Sequence, residues 1–430
     1  MNFFRIILLF PLILFSTEEI SVALKTKSGL ETVRIIEIEN NEVFYNSRHF
    51  KELKKVLEFD FSNNGYTHLT DEKFSNYDIK ILSEKNKFLC SLKDKKLNKS
   101  YRFEPIYLSG SIDVDRKKIH KLSDSILKKV FGVQGIATTT ILYSVRKKSS
   151  KSPNDWSSEI WVSDYDGQNA RQITFGEHYN VCPTFIPLKN IEGYQNFLYV
   201  SYRKGQPKIF RASFNSPIGK QLFTLPGNQL LPSVSHDCKM VAFVCDADGR
   251  PDLFLQKYTP LGEPIGKPTQ LFSSPRATQA TSSFSPDGSK LAFLSDKDGS
   301  PRIYVIDIPY QGAVQRPKAT LISKHNRQNS SPSWSYDGKK IAYSALTNGV
   351  KQVWIYNLET DEEKQLTFSS ENKENPRWAP NSLHLIYNTE DGIYSELYII
   401  NLNHPNPVQI TFGTGQKRFP SWEPKLKKRG

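Results

Sequence analysis

Six polar segments recur along this chain at nearly constant spacing: Tyr179-Asn180, Asn228-Gln229, Thr278-Gln279, Arg327-Gln328-Asn329, Glu374-Asn375 and Lys417-Arg418. Amides, hydroxyls and charges of this kind make hydrogen bonds rather than new covalent bonds. Gathered at one place they can bond the inserted loop of a partner protein; they can equally hold ordered water or a cation. Two acids also recur, Asp287 in Ser285-Pro286-Asp287-Gly288 and Asp337 in Ser335-Tyr336-Asp337-Gly338. Either could act as a general acid, but their recurrence with the turn assigns them to holding hairpins. The eight histidines are scattered, without a paired ligand nearby. No Gly-x-Ser-x-Gly, Gly-x-Gly-x-x-Gly, His-Glu-x-x-His or phosphate-loop motif occurs, and no Cys/His cluster. A binding scaffold is expected, not an enzyme, with no cofactor and no metal.

The elements that must position those segments form a repeat of roughly 44–56 residues, the mark of a β-propeller. Each unit has an apolar second strand anchored by an aromatic residue: Tyr143, Tyr199, Phe243, Phe293, Tyr343 and Tyr387. Turns such as Ser285-Pro286-Asp287-Gly288 precede it, and Asp248-Gly249, Asp298-Gly299, Asn348-Gly349 and Asp391-Gly392 follow it. A third strand comes next, then a short fourth carrying Gln172, Gln221, Gln270, Gln365 or Gln409 at one register. The terminal Phe419-Pro420-Ser421-Trp422-Glu423-Pro424 matches the innermost strands at Pro332-Ser333-Trp334 and Pro376-Arg377-Trp378 but has no second strand after it. It is expected to complete the first unit and close the ring. The fold class is thus mainly β, a six-bladed β-propeller (134–430, closed by 419–424) preceded by a small α/β domain (24–133). Two hairpins depart from the pattern, at Ile186 to Gly193 and at Cys238, which stands where glycine is expected.

Residues 1–23 read as a signal peptide. Arg5 is followed by an uncharged apolar run from Ile6 to Phe15, too short to span a bilayer, and Ser21-Val22-Ala23 offers a cleavage site, with a cut after Ser16 the alternative. In the next region a strand is expected near Val33–Ile38 and a mixed helical stretch from Phe50 to Val56. A second helix is expected from Val114 to Phe131, N-capped by Asp113 and stopped by Gly132. Asn63-Asn64-Gly65 and Lys93 to Lys99 read as turns or exposed loops. The net charge of +14 is dispersed and interleaved with acids, which argues against nucleic acid as a partner. Cys238 and Cys245 on one strand would lie roughly 23 Å apart, too far for a disulfide.

Three features are specific beyond the repeat: Glu159 to Gly167 followed by Arg171-Gln172-Ile173-Thr174, the junction Phe131 to Ile136 running into Thr140–Tyr143, and the closing Phe419–Pro424. Together they resemble the TolB family over about 110–424. The resemblance implies a non-enzymatic periplasmic hub of the Tol–Pal system, peripheral to membranes. It would bind a Pal-like peptidoglycan-associated lipoprotein through one propeller mouth. Its mature N-terminus, about Leu24 to Lys27, would contact a TolA-like inner-membrane protein, and the system would maintain the outer membrane as the cell constricts. The six polar segments listed first are the candidate partner-binding residues. The competing expectation is a peptidase-associated or ligand-binding propeller.

Overall fold

The computed structural model describes residues 29–38, 47–150, 154–190, 192–259, 263–309 and 317–425. The expected signal peptide, its cleavage site and the 24–27 segment lie outside these residues.

Before the propeller, a six-stranded mixed sheet carries two helices, α1 (Ser47–Asn63) and α2 (Ile112–Ile126). α1 is longer than the expected Phe50–Val56 stretch, because Leu57 and Phe61 continue the apolar face of Phe50, Leu53 and Val56 into the core. The expected strand spans Glu31–Ile38 and pairs in parallel with Tyr77–Glu84. The N-cap of α2 is Ser111 rather than Asp113, which falls inside the first turn beside Asp115. Asp115 is fully buried and accepts hydrogen bonds from the Ser109 and Gly110 amides, so both acids oppose the positive helix end. A π-helical turn, Leu127–Phe131, extends the helix to Gly132, which ends it at φ +68°.

Among the described residues, six four-stranded antiparallel sheets follow, as the repeat requires. Their innermost strands are Gln416–Trp422, Asn180–Lys189, Gln229–Val234, Gln279–Phe284, Asn329–Trp334 and Asn372–Trp378, and we number the blades 1 to 6 in that order. Every aromatic anchor of the second strands is buried, packed between one blade and its neighbour. Isolated four-stranded sheets would leave those rings wet, so the array is stable only as a closed set.

The recurring motifs have physical explanations. In the fourth strand the Gln amide donates to the carbonyl two residues on, at 2.6 Å for Gln172 to Thr174, 2.7 Å for Gln365 to Thr367 and 2.8 Å for Gln409 to Thr411. The threonine hydroxyl then accepts a third-strand N–H (Ile160, Val353 or Leu397), satisfying a donor where the fourth strand turns away. The turn acids do hold hairpins. Ser285 Oγ donates to Asp287 at 2.6 Å and accepts the Lys290 N–H at 2.9 Å, and Ser335, Asp337 and Lys340 repeat this. The Ser285 and Ser289 hydroxyls lower the Asp287 pKa to about 2, which keeps its carboxylate ionised. Cys238 adopts φ +62° and its N–H still reaches Ser235 O at 2.9 Å, so the turn survives without glycine. The departure at 186–193 is a longer hairpin, whose loop is held by Asn190 Oδ1 accepting the Glu192 and Tyr194 N–H groups.

The closing strand pairs Trp422 with Ile141 and Ser421 with Leu142, as expected from the sequence, and runs from Gln416 rather than Phe419. Trp422 Nε1 donates to Thr139 Oγ1 at 2.8 Å, and Glu423 accepts both the N–H and hydroxyl of Thr140 at 2.9 Å. The ring is thereby joined to the segment through which the chain enters it.

Candidate functional site: the loop end of the propeller

In an antiparallel blade, the loops between second and third strands and those leading to the next blade emerge at the same end. The six expected segments all lie there, but they divide by burial. Asn180, Gln229, Gln279 and Asn329 occupy one register position, each paired with the residue two beyond its blade's anchor. All four are buried at seams between blades. Asn180 Nδ2 donates to Glu159 of blade 1 at 2.7 Å, Gln229 Nε2 to Leu225 O at 2.9 Å, Gln279 Nε2 to Ala277 O at 3.3 Å and Asn329 Nδ2 to Asn326 O at 3.1 Å. Gln229, Gln279 and Asn329 thus fasten their blades to the loop before them, and Asn180 fastens blade 2 to the third strand of blade 1.

Lys417 is the blade 1 equivalent, buried and bonded to Glu396 at 2.8 Å. In blade 6 the same register falls on Lys373, opposite Thr389, one residue before the expected Glu374-Asn375. Asn375 is buried instead at a bulge (φ +55°), accepting from Ser331 Oγ and donating to Asn388, each at 2.9 Å. Glu374 pairs with Lys351, and Arg418 with Glu390. Asn228 is tied to the Asp246 carboxylate at 2.7 Å, and Tyr179 packs edge-on against Tyr202. Thr278, Arg327 and Gln328 remain exposed.

The same end carries large apolar side chains beyond these six segments. Phe175, Phe368, Phe412, Ile393 and Tyr394 are each between 67 and 73 % exposed. They belong to blades 5, 6 and 1, which adjoin one another around the ring. The phenylalanines follow the Gln-x-Thr motif; in blade 2 the same position holds the exposed Thr224, because Phe223 fills the buried place of the motif's threonine. Large apolar side chains grouped in adjoining loops are the usual mark of a protein-binding surface.

The opposite end, formed by the other two sets of hairpins, receives the N-terminal region. His384 Nε2 lies 2.7 Å from Asn63 O, and Asn403 Nδ2 donates to Gly65 O at 2.8 Å. Asn63 to Gly65 is therefore a docking loop, not an exposed turn, and Asn64 is buried. Beside it, His120 of α2 sits between Asp60 (2.9 Å) and Asp166 (3.5 Å), Tyr165 OH donates to Asp60 at 2.6 Å, and Arg116 pairs with Asp166. Burial works against the charged imidazole, but the two carboxylates prevail and raise the His120 pKa to about 10. His120, Asp164 and Asp166 bring ligand atoms within 4.8 Å of one another, a spacing that could hold a metal. In this arrangement Asp60 and Asp166 flank the imidazole and Arg116 pairs with Asp166, so the cluster forms an ion-pair clasp between α2 and blade 1.

No helix among the described residues is long and apolar enough to cross a membrane.

Residues 127–426 match the family model "TolB beta propeller domain". A protein TolB homolog of Protochlamydia amoebophila is 43% identical over 291 residues, covering 62% of each chain. One of Chlamydia felis is 37% identical over 180 residues, covering 41% of this chain and 40% of its own. The match thus spans about three fifths or less of these relatives' length. The fold is that of the crystal structure of TolB from Acinetobacter baumannii, with a TM-score of 0.71 at 20% identity over 92% of this chain and 97% of that one. Repeat, closing strand and family model agree, and the chain belongs to the TolB β-propeller family.

Proposed function

We propose that this chain is a non-enzymatic periplasmic scaffold of the Tol–Pal system, binding a Pal-like peptidoglycan-associated lipoprotein at the loop end of the propeller. The arc of exposed Phe175, Phe368, Phe412, Ile393 and Tyr394 carries this reading. It provides an apolar centre, with Arg327, Gln328 and Thr278 exposed at the same end. Buried aromatics dominate protein interfaces, and a polar rim fixes orientation. The N-terminal region would contact a TolA-like inner-membrane protein from the other end, so that one chain links both membranes during constriction.

Replacing Phe368 and Phe412 together by Ser is expected to weaken binding of the soluble domain of a Pal-like lipoprotein at least ~30-fold, the effect of losing one strong anchor of about 2 kcal/mol. Titration calorimetry measures it, with circular dichroism confirming an unchanged fold. Arg327→Glu should slow association and alter its salt dependence. Equal affinity for both variants and the parent places the interface elsewhere. Deleting Leu24 to Lys27 is expected to abolish TolA capture in a pull-down while leaving Pal capture measurable.

A further inference from the structure

The wall of the propeller channel carries one residue that breaks its own symmetry. Opposite the position just before each anchor, the inner strands present Thr184, Ser233, Ser283, Ser333 and Ser421, and in blade 6 Arg377. All six line one cavity of about 100 Å³, and a smaller one of about 20 Å³ on the loop side shares Thr184, Pro232, Ser282 and Arg377 with it. No Asp or Glu lines either cavity.

The hydroxyls join blade to blade. Ser283 Oγ accepts the Trp334 N–H at 2.9 Å, and Ser333 and Ser421 accept those of Trp378 and Phe185 at 3.3 Å. Among the described residues the protons of these three hydroxyls have no acceptor, so they remain free for a ligand. Ser282, only 7% exposed, lines both cavities and its hydroxyl has no hydrogen-bond partner among the described residues. Arg377 spends Nη1 on the carbonyls of Pro332 (3.2 Å) and Pro376 (3.3 Å) and meets no carboxylate among the described residues. The neighbouring Cys182 has a thiol pushed by burial to about 12 and is neutral, so it offers no countercharge. A guanidinium enclosed without an anion is costly where the other five blades manage with a small hydroxyl. The donor set is also the reverse of what a channel cation would require.

We propose that the channel binds an oxyanion, a carboxylate or phosphate, held by the Arg377 guanidinium and the surrounding hydroxyl protons. The cavity has room for such a group and little more. The anion is either free in solution or a carboxylate carried in on a partner's acidic segment. The proposal is independent of the loop-end interface, since it concerns the channel interior and needs no Pal-like protein for its test.

The test uses the full chain without its signal peptide, at constant ionic strength set with chloride. Three probes are titrated: sodium phosphate, sodium acetate and N-acetyl tetraglutamate amide. In the parent, at least one probe should raise Tm in a saturable manner, and Arg377→Gln should reduce its affinity at least tenfold. Without probe, Arg377→Gln should melt higher than the parent, because it removes an unpaired charge; saturating probe should reverse that order. Free anions acting alone identify a solution ligand, whereas the peptide acting alone identifies a partner's carboxylate. Should Arg377→Gln fail to fold, Ser282→Ala and crystals soaked in selenate serve instead, with an anomalous peak beside Arg377 expected. Silence of all three probes in the parent, equal binding by the variant, or no selenate in the channel overturns the proposal.

Discussion

Ending the chain at Gly415 is expected to leave a protein that does not reach the native state. The lost segment is the innermost strand of blade 1, paired with Thr140–Lys148 from Gln416 opposite Arg146 to Trp422 opposite Ile141. Its removal exposes the second strand as a bare edge and uncovers Tyr143, Ile141 and Ile386, which share a core cluster with Trp422. The Thr140 N–H also loses Glu423, its acceptor. Replacing Trp422 alone by Ala should cost about 3–5 kcal/mol, the usual range for a buried Trp, against a total stability on the order of 5–15 kcal/mol. The truncation removes that residue with the rest of its seven-residue strand and everything after it, Glu423 included. Size-exclusion chromatography should find aggregate, and urea titration followed by circular dichroism should lose its cooperative transition. A truncated chain with the parent's midpoint would mean that the ring does not depend on this clasp.

The architecture was legible because a closed ring repeats itself: six anchors, recurring hairpin turns and an orphan terminal strand admit few other arrangements. The Gln register was visible without its reason, since the bond from Gln172 to Thr174 O closes only when the chain turns off the fourth strand. What the sequence hid were questions of facing. Asn180 and Gln229 look like a polar mouth, yet a period-two strand directs them into seams, where a buried amide can bond the preceding loop. Phe412 stands three residues after its Gln and is exposed, while Phe223 stands two after its own and is buried, a difference of one position that reverses the facing. Counted back from the shared Pro-x-Trp, Lys373 and not Glu374 aligns with Asn329, and the bulge that follows is common to both blades, so this register was legible in the sequence. The substitution of Arg377 for serine was in plain view between Pro376 and Trp378. Its meaning required the ring of hydroxyls around it.

His120→Ala is expected to cost about 3–5 kcal/mol, the range for removing one partner of a buried ion pair, because Asp60 and Asp166 are left facing each other. The imidazole is 1% exposed and belongs to α2, whereas Asp166 and Tyr165 belong to blade 1, so the loss falls on the contact between the two regions. The pH dependence separates this clasp from ordinary packing. With the folded pKa raised to about 10 above the roughly 6.5 of an unfolded histidine, the contribution is complete below about pH 6.5 and declines as pH rises toward 10. Asp166 sets the acid limit. Burial alone would raise its pKa, but bonds to His120 and the charge of Arg116 lower it, so its share is lost as pH falls below the usual carboxylate range. Urea midpoints of the parent should therefore fall between pH 6.5 and 10 more steeply than those of His120→Ala, while the two curves run parallel from pH 5 to 6. Parallel curves throughout, or an imidazole that titrates near 6.5 by NMR, would show that His120 is neutral and that the regions are held by packing alone.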